Sequence, residues 1–237
     1  PFDAYQACIR IVDHYQVNRP SIKGDNLEPA LNRMCCHRWW YRRIQILRLR
    51  KIETISRNIE LVSRLRGTYA SDYTIHVKRK QKERNRLYLA SNFVSNQNGE
   101  IFSLQNLADR SVSNPVIRRA ELMVRIRGFE MVANYLGHRG EFYTLTTPSR
   151  MHACLHTGHA NPRHDGTTTL EAHQYLTHLW SLIRAELDRQ DIRPYGFRVV
   201  EPHHDGTPHW HLLLFMPDKH CEAVRKVMSH YALLDSG

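Results

Sequence analysis

Residues 195–217, "YGFRVVEPHHDGTPHWHLLLFMP", constrain the chain more than any other stretch. Two β-rich runs flank a short connection containing Asp205-Gly206, the pattern of an antiparallel hairpin. Alternate residues of a strand share a face, so His209 and His211 project together while Trp210, Leu212 and Leu214 face the opposite layer. With residues 202–208 as the connection, the register sets Glu201 opposite His209, their Cβ atoms about 5 Å apart. Two imidazoles and a carboxylate then converge on one point.

A His-His-acid shell is incomplete. It leaves positions for water or a phosphate oxygen, which suits Lewis-acid chemistry better than a closed structural site. Nitrogen and oxygen donors together admit Mg²⁺, Mn²⁺ or Zn²⁺. His203, inside the connection, rivals Glu201 as third ligand, while His204 and Asp205 read as turn residues or supports of the ligands. A His-x-His pair alone is a weak signal, and histidines that merely pack are the alternative. The carboxylate in register and the basic chain around it strengthen the metal reading.

The rest of the chain supplies an α+β setting. Residues 26–66 carry apolar residues at three and four spacing, from Leu27 and Leu31 to Ile59 and Val62, which predicts two helices. "SDYTIHVKRKQKERNRLYLASNFVSNQNG" predicts a helix capped by Ser71 or Asp72 and ending at Asn98-Gly99. "SNPVIRRAELMVRIRGFEMVANYLGHRG" predicts another, with Pro115 in its first turn and Gly137 near its stop. "EFYTLTTP" alternates as a strand, "LEAHQYLTHLWSLIRAELDRQ" has one apolar helical face, and "PDKHCEAVRKVMSHYALL" closes as a helix. Strand, helix, strand, strand, helix points to an antiparallel sheet flanked by helices. The expected division is therefore a mostly helical, basic accessory region over 1–138 and a sheet domain over 139–237.

The 237 residues carry 34 Lys and Arg against 23 Asp and Glu, a net charge of +11. Such a balance favours a polyanionic partner, nucleic acid first. Almost all of the excess falls before residue 139. Lys78, Arg79 and Lys80, in a run of basic residues at helical spacing, can track a DNA backbone or simply be a solvated face. Arg118, Arg119, Arg125 and Arg127 precede the first strand, where they can hold DNA near the site or pair with Glu121 and Glu130. Arg150, just after that strand, is a further candidate DNA contact. His152, Cys154, His156 and His159 fit no standard zinc spacing, so this segment is expected to be a mobile loop over the site, with His152 as a candidate catalytic group.

Five scattered cysteines with no CxxC pair argue against a disulfide framework, and an intracellular, reducing compartment is the expectation. No apolar run approaches the roughly 18 residues of a membrane span, so no membrane partner is expected. The chain opens without Met and is expected to be a piece of a longer polypeptide.

"HWHLLLF" resembles the His-hydrophobic-His motif of HUH endonucleases, and "FYTLTTP" resembles the strand motif that precedes it in their replication initiators. Together with "NPVIRRAELMVRIRGFE", "GHRGEFYTLTTPSRMHA" and "YGFRVVEPHHDGTPHWHLLLFM", these stretches resemble the bacteriophage replication gene A protein family over roughly residues 105–237. The resemblance implies an HUH nuclease domain and a site- and strand-specific nickase of single-stranded or hairpin origin DNA that starts rolling-circle replication of a phage or prophage genome. It implies Mg²⁺ or Mn²⁺ on His209, His211 and Glu201, action in the cytoplasm of the bacterial host, and a host replication helicase as a candidate partner. It also implies a tyrosine nucleophile on a helix after the metal motif, kept as a phosphotyrosyl ester. Position 235 is Asp, so Tyr231 has no tyrosine one turn later; it reads as a packing residue, with the nucleophile expected beyond Gly237. A zinc-dependent hydrolase and a non-catalytic DNA-binding module are the rival readings.

Overall fold

The computed structural model describes residues 2–235. The chain parts into two compact units, residues 1–56 and 57–237. The boundary expected at 138 falls inside the second.

The first unit contains α1 (Phe2–His14), α2 (Glu28–Met34) and most of α3 (His37–Asn58). Its core is small: Ile9, Val12, Val17 and Met34 are buried, with Trp39 and Trp40 packed against them. The Trp40 indole N–H donates to the Met34 carbonyl at 2.6 Å, so the ring's one polar group is satisfied where the rest is apolar.

In the second unit α4 (Asp72–Ser91) starts at Ser71, whose hydroxyl accepts from the Thr74 N–H. The helix stops well short of Asn98-Gly99, which corrects the expected end. Asn92 is extended, and β1 (Phe93–Ser95) pairs with β2 (Ile101–Ser103) in a hairpin. The cause is local: the Asn96 side-chain oxygen accepts from the N–H groups of Asn98 and Glu100, and Gly99 takes a φ of 79°. A side chain that hydrogen-bonds its own turn competes with helix continuation. After α5 (Leu104–Asp109), α6 (Pro115–Leu136) is capped by Asn114 and has Pro115 in its first turn. Gly137 closes it in a left-handed conformation, as the sequence predicts.

Gly137 leads directly into β3 (His138–Leu145), three residues earlier than the predicted strand. With β4 (Tyr195–Pro202) and β5 (Pro208–Pro217) it forms an antiparallel sheet of order β3-β5-β4. One face packs against α7 (Thr169–Arg189) and α8 (Cys221–Ala232), and the core includes Leu145, Leu176, Ile183, Trp210, Leu212, Met216 and Val224. Helix α7 begins in a capping box of Thr168 and Glu171.

Burying side chains of this size stabilises by about 1.5–3 kcal/mol each. A one-residue slip of β5 would expose Trp210 and Leu212 and bury His209 and His211 in their place. Packing on the inner face therefore fixes which way the histidines point. At the far end of the outer face, Phe129 of α6 lies 4.7 Å from Phe197 between ring centroids and also meets Tyr195 and Phe215. Gly196 has no alternative in β4, since a Cβ there would collide with the Leu213 carbonyl.

Candidate metal centre

On the outer face, Glu201 pairs with His209 and Val199 with His211, the register expected from the connection length. One ligand atom from each of Glu201, His209 and His211 lies within 4.8 Å of the other two. His209 Nε2 is 2.9 Å from His211 Nε2, which is 3.5 Å from the Glu201 carboxylate. Two donors each bonded at about 2.1 Å to one ion stand roughly 3.0–3.5 Å apart, so the spacing fits a shared cation.

The neighbours orient these donors. Thr144, opposite His211 on β3, places its hydroxyl 3.0 Å from His211 Nδ1, leaving Nε2 for the cluster. Phe142 stacks on the same imidazole, ring centroids 5.2 Å apart and planes at 25°. His209 Nδ1 is buried without a hydrogen-bond partner, so that ring's polar engagement runs through Nε2. Burial, then the neighbouring His211, lowers the pKa of His209 and favours the neutral imidazole that a metal needs. The Glu201 side chain is 55% exposed, so the cluster opens to solvent on the carboxylate side.

His203 stands beside the cluster, its ring centroid 4.3 Å from that of His209. Burial, with His209 and His152 nearby, pulls its pKa down to about 4. His152 packs edge-on to His203 with centroids 5.0 Å apart. Both its ring nitrogens are engaged, Nε2 with the Thr147 hydroxyl at 3.2 Å and Nδ1 facing Asp205 at 3.4 Å.

Of the two roles its place in the connection admits, turn residue or support of the ligands, Asp205 takes the second and is the centre of that support. Fully buried, its carboxylate accepts from the Ala153 N–H at 2.9 Å, the Thr207 N–H at 3.0 Å and the Thr207 hydroxyl at 2.8 Å. Burial opposes the charge, but the contacts from His152 and Thr207 prevail and hold this carboxyl well below the usual carboxylate range. Arg57, also buried, donates to the Asp205 carbonyl and the Thr207 hydroxyl, both at 2.8 Å. Its guanidinium further reaches the carbonyls of Thr167 and Met151. The clasp ties the hairpin connection to residues 149–153. The expected mobile loop is thus a packed segment: Met151, Ala153 and Cys154 are buried, and the Asn161 amide donates to the Ser149 and His152 carbonyls.

Next to the cluster, Tyr69, Glu201, Pro202, His203, His204 and His209 line a cleft of about 400 Å³. Tyr69 has a φ of 77°, rare for a residue with a side chain, and its N–H donates to the His204 carbonyl at 3.2 Å. Nothing in the sequence around "GTYAS" signals that geometry.

The basic residues are dispersed. Lys78, Arg79 and Lys80 lie on α4, which buries none of its residues. Arg118, Arg119, Arg125 and Arg127 are exposed on α6, and Arg127 pairs with Glu130 at 2.6 Å. Arg150 is held between Asp165 and Asp235, so its charge is already matched. Tyr231 is half-buried against the sheet core.

An α+β protein with a three-donor cluster on an open sheet face and basic, exposed helices belongs, by comparison, among phage and prophage replication proteins. The family description of the bacteriophage replication gene A proteins matches residues 3–237, and the chain belongs to this family. It is 44% identical over 208 residues to the replication gene A protein of Escherichia phage 186, covering 88% of this chain and 30% of that protein. It is 38% identical over 219 residues to a probable replication protein of Pseudoalteromonas phage PM2, covering 92% of this chain and 34% of that one. A probable replication endonuclease from a prophage-like region of Salmonella paratyphi A is 34% identical over 215 residues, 91% of this chain and 27% of that protein. The chain thus spans about a third of the length of these relatives. No solved structure matches it. No helix among the described residues is long and apolar enough to cross a membrane.

Proposed function

We propose that this chain is the metal-binding part of an HUH-type endonuclease that nicks one strand of single-stranded or hairpin origin DNA to start rolling-circle replication of a phage or prophage genome. The observation that carries this reading is the convergence of Glu201, His209 and His211 on an open sheet face. Relatives named replication endonucleases support a DNA substrate.

On this reading Glu201, His209 and His211 hold Mg²⁺ or Mn²⁺, which supplies Lewis-acid polarisation of the scissile phosphate. Thr144 keeps His211 Nε2 directed at the ion. The Asp205–Arg57 clasp holds the connection between the strands that carry the ligands. His152, tied at both nitrogens, supports this wall of the site. A tyrosine oxygen attacks phosphorus, the bond to the 3′ oxygen breaks, and that oxygen leaves as a 3′-hydroxyl after taking a proton. The phosphotyrosyl ester retains the 5′ end for rejoining. Tyr231 packs against the core and is not assigned that role. Arg118, Arg119, Arg125 and the α4 cations draw the DNA in, and a host replication helicase acting in the bacterial cytoplasm takes over the opened strand.

Calorimetric titration of Mn²⁺, Mg²⁺ and Zn²⁺, with and without a single-stranded oligonucleotide, tests the reading. Mn²⁺ or Mg²⁺ binding that strengthens with DNA and is lost in His209→Ala and Glu201→Ala is expected. Tight Zn²⁺ binding indifferent to DNA would instead favour a zinc hydrolase, and no metal signal would leave a DNA-binding module.

A further inference from the structure

Two aromatic residues next to the donor cluster have no role in the chemistry above beyond the contact of Phe142 with His211. Phe142 stacks on the His211 imidazole, yet 65% of the residue is exposed. It projects from β3 onto the same face as His211, because its cross-strand partner Leu213 is two residues along β5. Tyr69 lines the cleft on the Glu201 and His209 side and is 58% exposed. Phe142 thus meets the cluster by way of His211, and Tyr69 lines the cleft beside Glu201 and His209.

We propose that Phe142 and Tyr69 are stacking platforms for the two nucleobases that flank the metal-held phosphate, so that the strand lies unpaired across the centre. The inference rests on the reading of the cluster as a metal centre that grips a DNA phosphate. Three features of the molecule favour a nucleic acid at this place, and the first of them favours a single strand. Exposed aromatic side chains suit unpaired bases, whose own π-faces are available only outside a duplex. The chain's net charge of +11 suits a polyanion. Tyr69 sits in a left-handed backbone conformation where glycine would be relaxed, and such backbone outliers cluster at ligand-holding sites.

Phe142 and Tyr69 are positioning residues, and the test separates stacking from support of the metal ligands. Binding of fluorescein-labelled oligo(dT) of 20 nucleotides is measured by anisotropy in Mn²⁺, alongside a strand of equal length made of abasic sites, which keeps the phosphates and removes the bases. Phe142→Ala and Tyr69→Gly are each expected to weaken oligo(dT) binding roughly five- to a hundred-fold more than they weaken binding of the abasic strand. Tyr69→Gly deletes the ring at a position where glycine relieves the backbone, and Phe142→Tyr and Tyr69→Phe are expected to retain parental binding. Unchanged oligo(dT) binding in both ring deletions, or equal losses on both strands, would overturn the proposal. A drop in Mn²⁺ affinity with no base-dependent loss would also overturn it, by assigning Phe142 to holding His211. If the parental chain shows no Mn²⁺-dependent DNA binding, the metal-centre reading itself fails, an outcome distinct from intact Mn²⁺-dependent binding with indifferent rings.

Discussion

Helices α4 to α6 and the sheet that follows them sit in one compact unit but are built on opposite terms. Helix α4 buries no residue and α6 buries only Ala133, whereas β5 buries Trp210, Leu212, Leu214, Phe215 and Met216. The helices carry much of the positive charge, and the sheet carries the donor cluster. Charge acts over about a Debye length and tolerates loose placement, while ligand geometry must be held to tenths of an ångström. The molecule accordingly places its core behind the histidines and leaves its cations on exposed helix faces.

Breaking the precise region should be costly. Asp205→Ala removes a buried carboxylate that accepts three well-formed hydrogen bonds and faces both His152 and Arg57. A loss of about 3–5 kcal/mol of unfolding free energy is expected in denaturant titrations, since breaking one side of a buried charged network strands the other. The folded-state pKa of Asp205 is depressed. Its contribution is therefore full above the unfolded carboxylate value of about 3.9 and fades as pH falls below it towards the folded value. The stability gap between the parent and Asp205→Asn should shrink over that acidic range; a gap that widens there would contradict the assignment.

Altering the loose region should leave the fold alone. Replacing Lys78, Arg79 and Lys80 together by Ala is expected to change stability by no more than about 0.5 kcal/mol, because α4 buries nothing. If the three cations contact DNA phosphates, the slope of log affinity against log salt for single-stranded DNA drops by about 2. Mn²⁺ affinity should not move. An unchanged slope would identify this stretch as a solvated helix face.

The sequence made legible what short-range rules control. A strand alternates with period two, and a connection expected over 202–208 sets Glu201 opposite His209; the strands run one residue further at each end, to Pro202 and Pro208, in that same register. Pro115 and Gly137 bracket α6 for equally local reasons. The β1–β2 hairpin was hidden because Asn98-Gly99 serves equally as a helix stop and as a hairpin turn. Only the Asn96 side chain, bonded back to its own turn, decides between them. The Arg57–Asp205 clasp joins residues 148 apart, and nothing in either neighbourhood announces the other. Asp205 reads from the sequence as either a turn residue or a support of the ligands, because the groups that bury it come from distant segments. Tyr69 is in the same position: its N–H meets the carbonyl of His204, far away in the chain.

The central claim is that Glu201, His209 and His211 share one divalent cation. Diffraction from crystals soaked in Mn²⁺, recorded near the manganese absorption edge, tests it most directly. An anomalous peak about 2.1 Å from His209 Nε2, His211 Nε2 and a Glu201 oxygen is the expected result. A peak on His203 or His152 in place of Glu201, or none at the cluster at saturating Mn²⁺, would contradict the account.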